Sequence, residues 1–324
     1  MKRYCIRVKR EYGENEIKNL NSKNLVDSNY IIHHNKKYVY IPLKNYTDNS
    51  IMFNFKRKNN PVENIKKRLN KHKIENIPKY VRYENSIILK TDLENRYVAK
   101  VFAEELKIKN VYIESGRIRG DMRIPSLKLL YGNGGDDIVL EDDIKYMLDP
   151  ERIMFSPGNI NVRSNMKSEN LNDKTVMDMF CGIGYFSLPI MKHSKLRTIL
   201  LCDINGDSIH YLKKNIELNK IENNVEIYNG DSRVLLPHIE ADYIIMGNFK
   251  SVDYLAAALV RSKKGTVISM HYLIPTENID NYYKTIITRA RRCGYILGNI
   301  ENIRVKSVGP NYWHIKSKFV VLNC

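Results

Sequence analysis

Two hydrophobic rhythms run along this chain of 324 residues. Up to about residue 150, short mostly polar segments carry brief strands and helices. Tyr4-Cys5-Ile6-Arg7-Val8 alternates as a strand, residues 14–20 are helical, and Tyr38-Val39-Tyr40-Ile41 is a second strand closed by Pro42. Residues 45–61 are polar without clear period and read as a linker. A basic helix over 62–72 comes next, then strands at 87–90 and 111–113 with a helix over 93–105 between them. Residues 127–131 form another strand, 132–137 a glycine-rich turn, and 141–148 lead onward.

Beyond residue 150 the rhythm changes. Short unbroken apolar runs at 176–180, 198–202, 225–228, 243–246 and 266–270 alternate with helical stretches at 185–193, 210–219 and 279–293. Unbroken apolar runs suit strands of a parallel sheet buried on both faces. Closing strands run through 300–305 and 314–321. The predicted fold is α/β: a Rossmann-like domain over 151–324, preceded by a small domain over 1–45, a linker over 46–61 and a middle α/β domain over 62–150.

Charge changes this picture more than composition does. A hydrophobic content of 43% is ordinary, no apolar run is long enough to span a bilayer, and Met1-Lys2-Arg3-Tyr4-Cys5 has no signal-peptide core. Five scattered cysteines (5, 181, 202, 293 and 324), with no C-x-x-C pair, point away from zinc and from a disulfide framework. The expected location is a reducing one, the cytoplasm. Net charge is +17, of which +11 falls in residues 1–75. That concentration favours a polyanion, a nucleic acid, over an evenly solvated surface.

The chemistry gathers around residues 178–205. The run Asp178-Met179-Phe180-Cys181-Gly182-Ile183-Gly184 places two glycines at a strand-to-helix turn, where backbone comes close to a ligand. Asp203 ends the next strand, about 20 residues on, where a ribose is held by its hydroxyls. The full dinucleotide pattern G-x-G-x-x-G is not met, since Ser187 stands in the third place, and no Lys-Ser/Thr succeeds the glycines as in phosphate-cradling loops. Asp231 and Ser232 come after the third strand, where the aspartate is placed to accept from an adenine amino group. Asp178, Gly182, Gly184, Asp203 and Asp231 together resemble the first motifs of class I S-adenosylmethionine-dependent transferases.

Three further stretches add candidates. Ser115 to Pro125 carries three arginines, Arg117, Arg119 and Arg123, and two glycines, a phosphate or base clamp or else a solvated hairpin. Ser156-Pro157-Gly158-Asn159 precedes a helix and places the Ser156 hydroxyl near the cofactor's amino-acid end, with Arg163 in reach of a carboxylate. The bland alternative is helix capping by Ser156 or Asn159. Gly247-Asn248-Phe249 succeeds the fourth strand, whose end faces the reacting carbon.

Met154 to Ile160, the glycine motif, Met246-Gly247 and Gly309-Pro310-Asn311-Tyr312-Trp313-His314 resemble the wybutosine-synthesising tRNA aminocarboxypropyltransferases. The likeness runs from about residue 110 to the C-terminus, and residues 4–43 resemble the N-terminal domain of a sister family, the tRNA guanine-37 N1-methyltransferases. The sister family carries Asn-x-Pro after the fourth strand and Ser-Pro-Arg-Leu before the first; Gly247-Asn248-Phe249 and Ser156-Pro157-Gly158-Asn159 depart from both. Pro157 matches the methyltransferases, and methyl transfer is the alternative reading.

The resemblance implies transfer of the 3-amino-3-carboxypropyl group of S-adenosyl-L-methionine to the tricyclic base 4-demethylwyosine at position 37 of tRNA(Phe), in the anticodon loop. It implies no membrane, no metal and no obligate protein partner. Cofactor contacts carried across are Ser156, Arg163, Asp203, Asp231 and Ser232, joined by Asp178, Gly182 and Gly184 of the glycine motif. Arg123 and Asn248 are the candidate catalytic residues; Asp121, Glu141 and His271 are candidates for the base that removes a proton from the acceptor carbon. A sulfonium has three electrophilic carbons, so the group transferred is decided by which carbon faces the acceptor. Positioning of this kind supplies roughly 7–11 kcal/mol in the best model systems.

Overall fold

A computed structural model describes residues 1–277 and 279–323; for 279–282 only the helical backbone is described. The chain divides into two compact units, Met1–Glu75 and Asn76–Cys324.

The first unit is a four-stranded antiparallel sheet in the order His33–His34, Tyr38–Pro42, Lys2–Lys9, Ile51–Asn54. The helix Gly13–Ser22 buries Leu20 with Val39, Ile41 and Leu43. The strand Ile51–Asn54 lies within the segment expected to be a linker. Ile51 and Met52 of this edge strand are exposed, so no apolar alternation marks it; backbone pairing with Lys2–Cys5 holds it. The basic helix is also in this unit. It spans Pro61–Lys71, starts on an Asn60 cap and buries Ile65 and Leu69, so the division falls at Glu75 and not near residue 61.

The second unit holds three sheets. Strands Lys79–Arg82, Ser86–Lys90, Asn110–Glu114 and Leu127–Tyr131 form one of them, with the helix Arg96–Leu106 crossing between its middle strands. Asp137–Glu141 and Ile144–Leu148 form a hairpin. Tyr83, Ile88 and Tyr112 share one apolar core with Tyr146, Phe155 and Val176, so the expected middle domain is continuous with the Rossmann-like part. The hairpin is tied down by amides of the helix Gly206–Leu218 and the residue after it: Asn215 and Asn219 accept from the Met147 and Lys145 N–H groups at 2.6 and 2.9 Å.

The main sheet has seven strands, in the order Val225–Asn229, Thr198–Asp203, Thr175–Asp178, Ala241–Met246, Ser262–Pro275, Tyr312–Asn323, Ile296–Val308. The first five are parallel, and Tyr312–Asn323 runs antiparallel to both its neighbours. Successive residues face opposite cores: Val176, Ile199 and Tyr243 on one side, Met177, Leu200 and Ile244 on the other. Burial on both faces is why these strands are unbroken apolar runs. Cys5, Cys181, Cys202 and Cys293 are free, and Cys324 lies outside the described residues. No described helix is long and apolar enough to cross a membrane.

Candidate active site

Loops at the carboxyl ends of the parallel strands enclose a cavity of about 340 Å³. Sheet order reverses between the Thr175–Asp178 and Ala241–Met246 strands, and that switch point is where open α/β sheets bind ligands. Of the residues singled out in the sequence, Arg123, Ser156, Arg163, Gly182, Asp203, Asp231, Ser232 and Asn248 all line the cavity, as do Asp121 and His271. Asp178 and Gly184 stand behind the wall, and Glu141 is not part of the lining.

The acidic end is built at strand tips. Gly182 has φ +55° and donates its N–H to Asp203 Oδ2 at 2.8 Å. A Cβ there would sit 2.6 Å from the Tyr185 ring, so glycine is required for backbone and for space. The other Asp203 oxygen accepts from Asn205 N–H at 2.9 Å, and burial pushes its carboxyl up. A carboxylate fixed by two amides still has lone pairs for ribose hydroxyls. Asp178 is fully buried, accepts from Phe180 N–H at 3.2 Å and steadies the turn; burial pushes it up to about 7. Gly184, at φ +93°, lets Leu188 pack where a Cβ would lie 2.5 Å away. Both shape the loop without facing a ligand.

Asp231 is a helix cap, accepting from Arg233 N–H at 2.9 Å, and its carboxylate pairs with the Arg233 guanidinium, Nη2 to Oδ2 2.5 Å, which holds it below the usual range. Arg233 in turn lies over the Tyr254 ring. The Ser232 hydroxyl is buried with no partner among the described residues. Arg261, which sequence reasoning missed, fixes the segment after it. Its buried guanidinium donates to the carbonyls of Arg233, Leu236, Pro237 and Ala257 at 2.5–3.2 Å.

The basic end draws on distant parts of the chain. Arg163 is 3% exposed, and its Nε and Nη2 each donate to a Glu141 oxygen at 2.6 Å; Nη2 also donates to the Ser156 carbonyl at 3.0 Å. Its guanidinium lies over Phe155. Glu141, expected among the candidate bases, is therefore the counter-charge of a buried cation. The expected reach of Arg163 to a ligand carboxylate is narrowed to Nη1. The Ser156 hydroxyl accepts from Lys306 Nζ at 2.8 Å. Sequence reasoning missed Lys306 as well; it lies 150 residues away and no local pattern marks it. Burial, then Arg163 and Arg123, push its ammonium down. Ser156 and Asn159 both stand at N-cap positions, but neither side chain makes a capping hydrogen bond; Asn159 Oδ1 is buried without a partner among the described residues.

Of the three loop arginines, Arg117 and Arg119 are exposed, whereas Arg123 turns inward at φ +54° over the Phe249 ring. Asp121 is exposed and pairs with Lys250 at 2.5 Å. Asn248 accepts from Lys250 N–H at 2.9 Å. Gly247 leaves room for Phe186, whose ring a Cβ would meet at 2.7 Å. Phe186 stacks on His271, whose Nδ1 is 2.8 Å from His314 Nε2. Partnerless buried Ser232 Oγ and Asn159 Oδ1, with Asp203 also in the cavity wall, suit a nucleoside carrying an amino-acid chain.

This sheet order, with acids at the second and third strand tips beside a glycine turn, defines a class I S-adenosylmethionine-dependent transferase. Residues 137–297 match the TRM5/TYW2 methyltransferase domain, and residues 5–51 match the tRNA methyltransferase 5 N-terminal domain. The tRNA(Phe) (4-demethylwyosine(37)-C(7)) aminocarboxypropyltransferase of Pyrococcus horikoshii is 32% identical over 260 residues, 78% of this chain and 93% of the relative. The chain belongs to the TRM5/TYW2 family. A crystal structure of P. horikoshii TYW2 with MeSAdo superposes at TM-score 0.71 and 28% identity, covering 80% of this chain and 98% of that one. Pyrococcus abyssi Trm5b matches at TM-score 0.71 and 24% identity over 99% of both chains, a likeness of fold.

Proposed function

We propose that the chain transfers the 3-amino-3-carboxypropyl group of S-adenosyl-L-methionine to C7 of 4-demethylwyosine at position 37 of tRNA(Phe). The observation that carries this is the aminocarboxypropyltransferase relative, matched over nine-tenths of its length. The cavity supports it. The group that moves bears a carboxylate, and Arg123, Arg163 and Lys306 make that end of the site cationic; the Arg123 and Arg163 charges are close enough to depress Lys306. Gly247-Asn248-Phe249 leaves a glycine where the sister family's motif begins its Asn-x-Pro wall, and Phe186 fills the space.

Asp203 is assigned to the ribose and Asp231, with Ser232 beside it, to the adenine. Asp231, drawn to Arg233, braces that wall through the Ser232–Leu235 helix. Ser156 and Arg163 hold the amino-acid chain, and Lys306, outside the cavity lining, fixes the Ser156 hydroxyl and adds its charge. The sulfonium supplies the leaving group, so these residues orient rather than activate.

The anticodon loop is the RNA element presented to the cavity. The first unit supports tRNA as partner through its charge and through Arg7 lying over the half-buried Tyr38. The setting is the cytoplasm, with no obligate protein partner.

The test is incubation of tRNA(Phe) carrying 4-demethylwyosine with cofactor labelled on the carboxyl carbon or on the methyl carbon. Carboxyl label in RNA is expected. Methyl label in RNA would replace this reading with guanine-37-type methylation.

A further inference from the structure

We propose that His271, oriented by His314, takes up the proton that the acceptor ring carbon loses during transfer; this rests on the function proposed above. The reaction forms a carbon–carbon bond to the ring and breaks the carbon–sulfur bond, whose electron pair stays on sulfur as a neutral thioether. The ring is left positively charged with its hydrogen still on the attacked carbon. Loss of that proton returns the C–H electron pair to the ring, so the balance requires a base and no oxidant or reductant.

The cavity limits the choice. Asp121 is exposed and bound to Lys250, Glu141 is spent on Arg163, and Asp203 and Asp231 sit at the opposite, acidic end. The two histidines lie at the basic end beside Phe249, against which Arg123 also packs. His271 comes directly after Met270, which pairs with Met246 at the end of the fourth strand, so it stands beside Gly247 at the switch point.

His271 and His314 are 2% and 1% exposed, and their facing nitrogens are 2.8 Å apart. A neutral imidazole has one N–H. When His271 donates from Nδ1 to His314 Nε2, its own Nε2 is left with the free lone pair. Neither His271 Nε2 nor His314 Nδ1 has a hydrogen-bond partner among the described residues. Protonation at His271 Nε2 makes Nδ1–H the donor, and His314 is then already in place to accept.

The surroundings keep this base unprotonated until it is needed. Burial, His314 and Lys316 push His271 well below its ordinary value, and burial, Lys306 and Arg123 push His314 down to about 4. A weak base suffices, because the cationic ring is a strong acid. Lys316 cannot compete: it is buried beside Met166 and Lys318 and is not part of the cavity lining.

The test uses the full-length protein and tRNA(Phe) carrying 4-demethylwyosine with hydrogen or deuterium at C7. His271→Asn retains a polar group near the Nδ1 position and deletes Nε2; His271→Gln is the second variant in case the first does not fold. The expected result is a fall in carboxyl-label transfer of about 100-fold, typical for a lost general base. A primary deuterium isotope effect absent from the wild type should appear, while cofactor affinity by calorimetry is unchanged. His314→Asn, a positioning change, should give a smaller fall with the same isotope signature. Wild-type transfer by both His271 variants, or a fall with no isotope effect, overturns the proposal. A parallel loss of cofactor affinity overturns it as well. Failure of the underlying function is read separately, as methyl label entering RNA with the wild-type enzyme.

Discussion

At the acidic end of the cavity, Asp203 and Asp231 stand at the tips of neighbouring strands, 28 positions apart in the numbering; Asp203 is held by the Asn205 amide of its own loop and the Gly182 amide of the adjacent glycine turn, and Asp231 by the Arg233 amide of its own loop. At the basic end, Arg123, Arg163 and Lys306 come from a loop, a short helix and a late strand; each leans on a residue of another element, and for Arg123 and Lys306 that residue is more than a hundred positions away. The first arrangement is local and arises from strand order. The second exists only after the whole unit has folded. On the assignment proposed above, binding the nucleoside and choosing the carbon to be transferred rest on different kinds of structure and should fail in different ways.

The largest effect is expected from Glu141→Ala. It leaves the Arg163 guanidinium buried without its counter-charge, and breaking a pair this buried costs about 3–5 kcal/mol. Chemical denaturation should show the loss. Stability within about 0.5 kcal/mol of wild type, the range of an ordinary surface change, would mean that the basic end does not depend on its distant partner.

Asp203→Ala should leave the fold intact and weaken cofactor affinity about 100-fold, the equivalent of two charge-assisted hydrogen bonds at the lower end of their range. Calorimetry checks it. Unchanged affinity would remove the acidic end's assigned role.

Lys306→Met keeps the apolar stem and removes the charge beside Ser156. Affinity for S-adenosyl-L-methionine should fall roughly tenfold, as for one charged hydrogen bond, while affinity for adenosine stays. An equal fall for both ligands would erase the distinction between the two ends.

A separate effect, on the pH dependence of stability, concerns Asp178. Its folded carboxyl is pushed up to about 7 from the ordinary 3.8. Between those values the native state binds more protons than the unfolded chain, so this group lowers stability as pH rises from about 4 to about 7. Asp178→Asn should flatten that part of the stability curve, by up to roughly 4 kcal/mol, the whole shift at about 1.36 kcal/mol per pH unit. A slope unchanged from wild type would show that Asp178 is already charged in the native protein.

The same contrast explains how much of the site is legible in the sequence. The acidic end was legible because strand, glycine turn and terminal carboxylate recur at spacings set by the fold. Asp203 and Asp231 follow from counting strands, and Ser232 only from the family resemblance. The basic end was only half legible. Arg123, Ser156 and Arg163 stood out in short motifs, but their partners did not. Glu141 looked like a free acid because a buried ion pair leaves no mark in sequence until its cation is located. Lys306 sits in a strand of mixed polarity, and only the register that sets it opposite His314 brings it near Ser156. His271 was visible as a lone histidine, and its meaning came with His314. In the first unit the edge strand Ile51–Asn54 was hidden for another reason: Ile51 and Met52 are exposed, and only Phe53 turns inward, onto Tyr40, so no alternation marks it.

The Arg163–Glu141 pair also constrains how this protein can change over generations. Lysine in place of Arg163 keeps the charge but loses the fork that meets both carboxylate oxygens, and any neutral residue at either position strands the other. Single-nucleotide drift through these two positions therefore passes through unstable intermediates. A lineage altering which part of its cofactor it passes on would move more readily through Asn248 or the Arg123 loop, whose contacts are not bound up in a buried pair, and would inherit the Arg163–Glu141 pair unaltered.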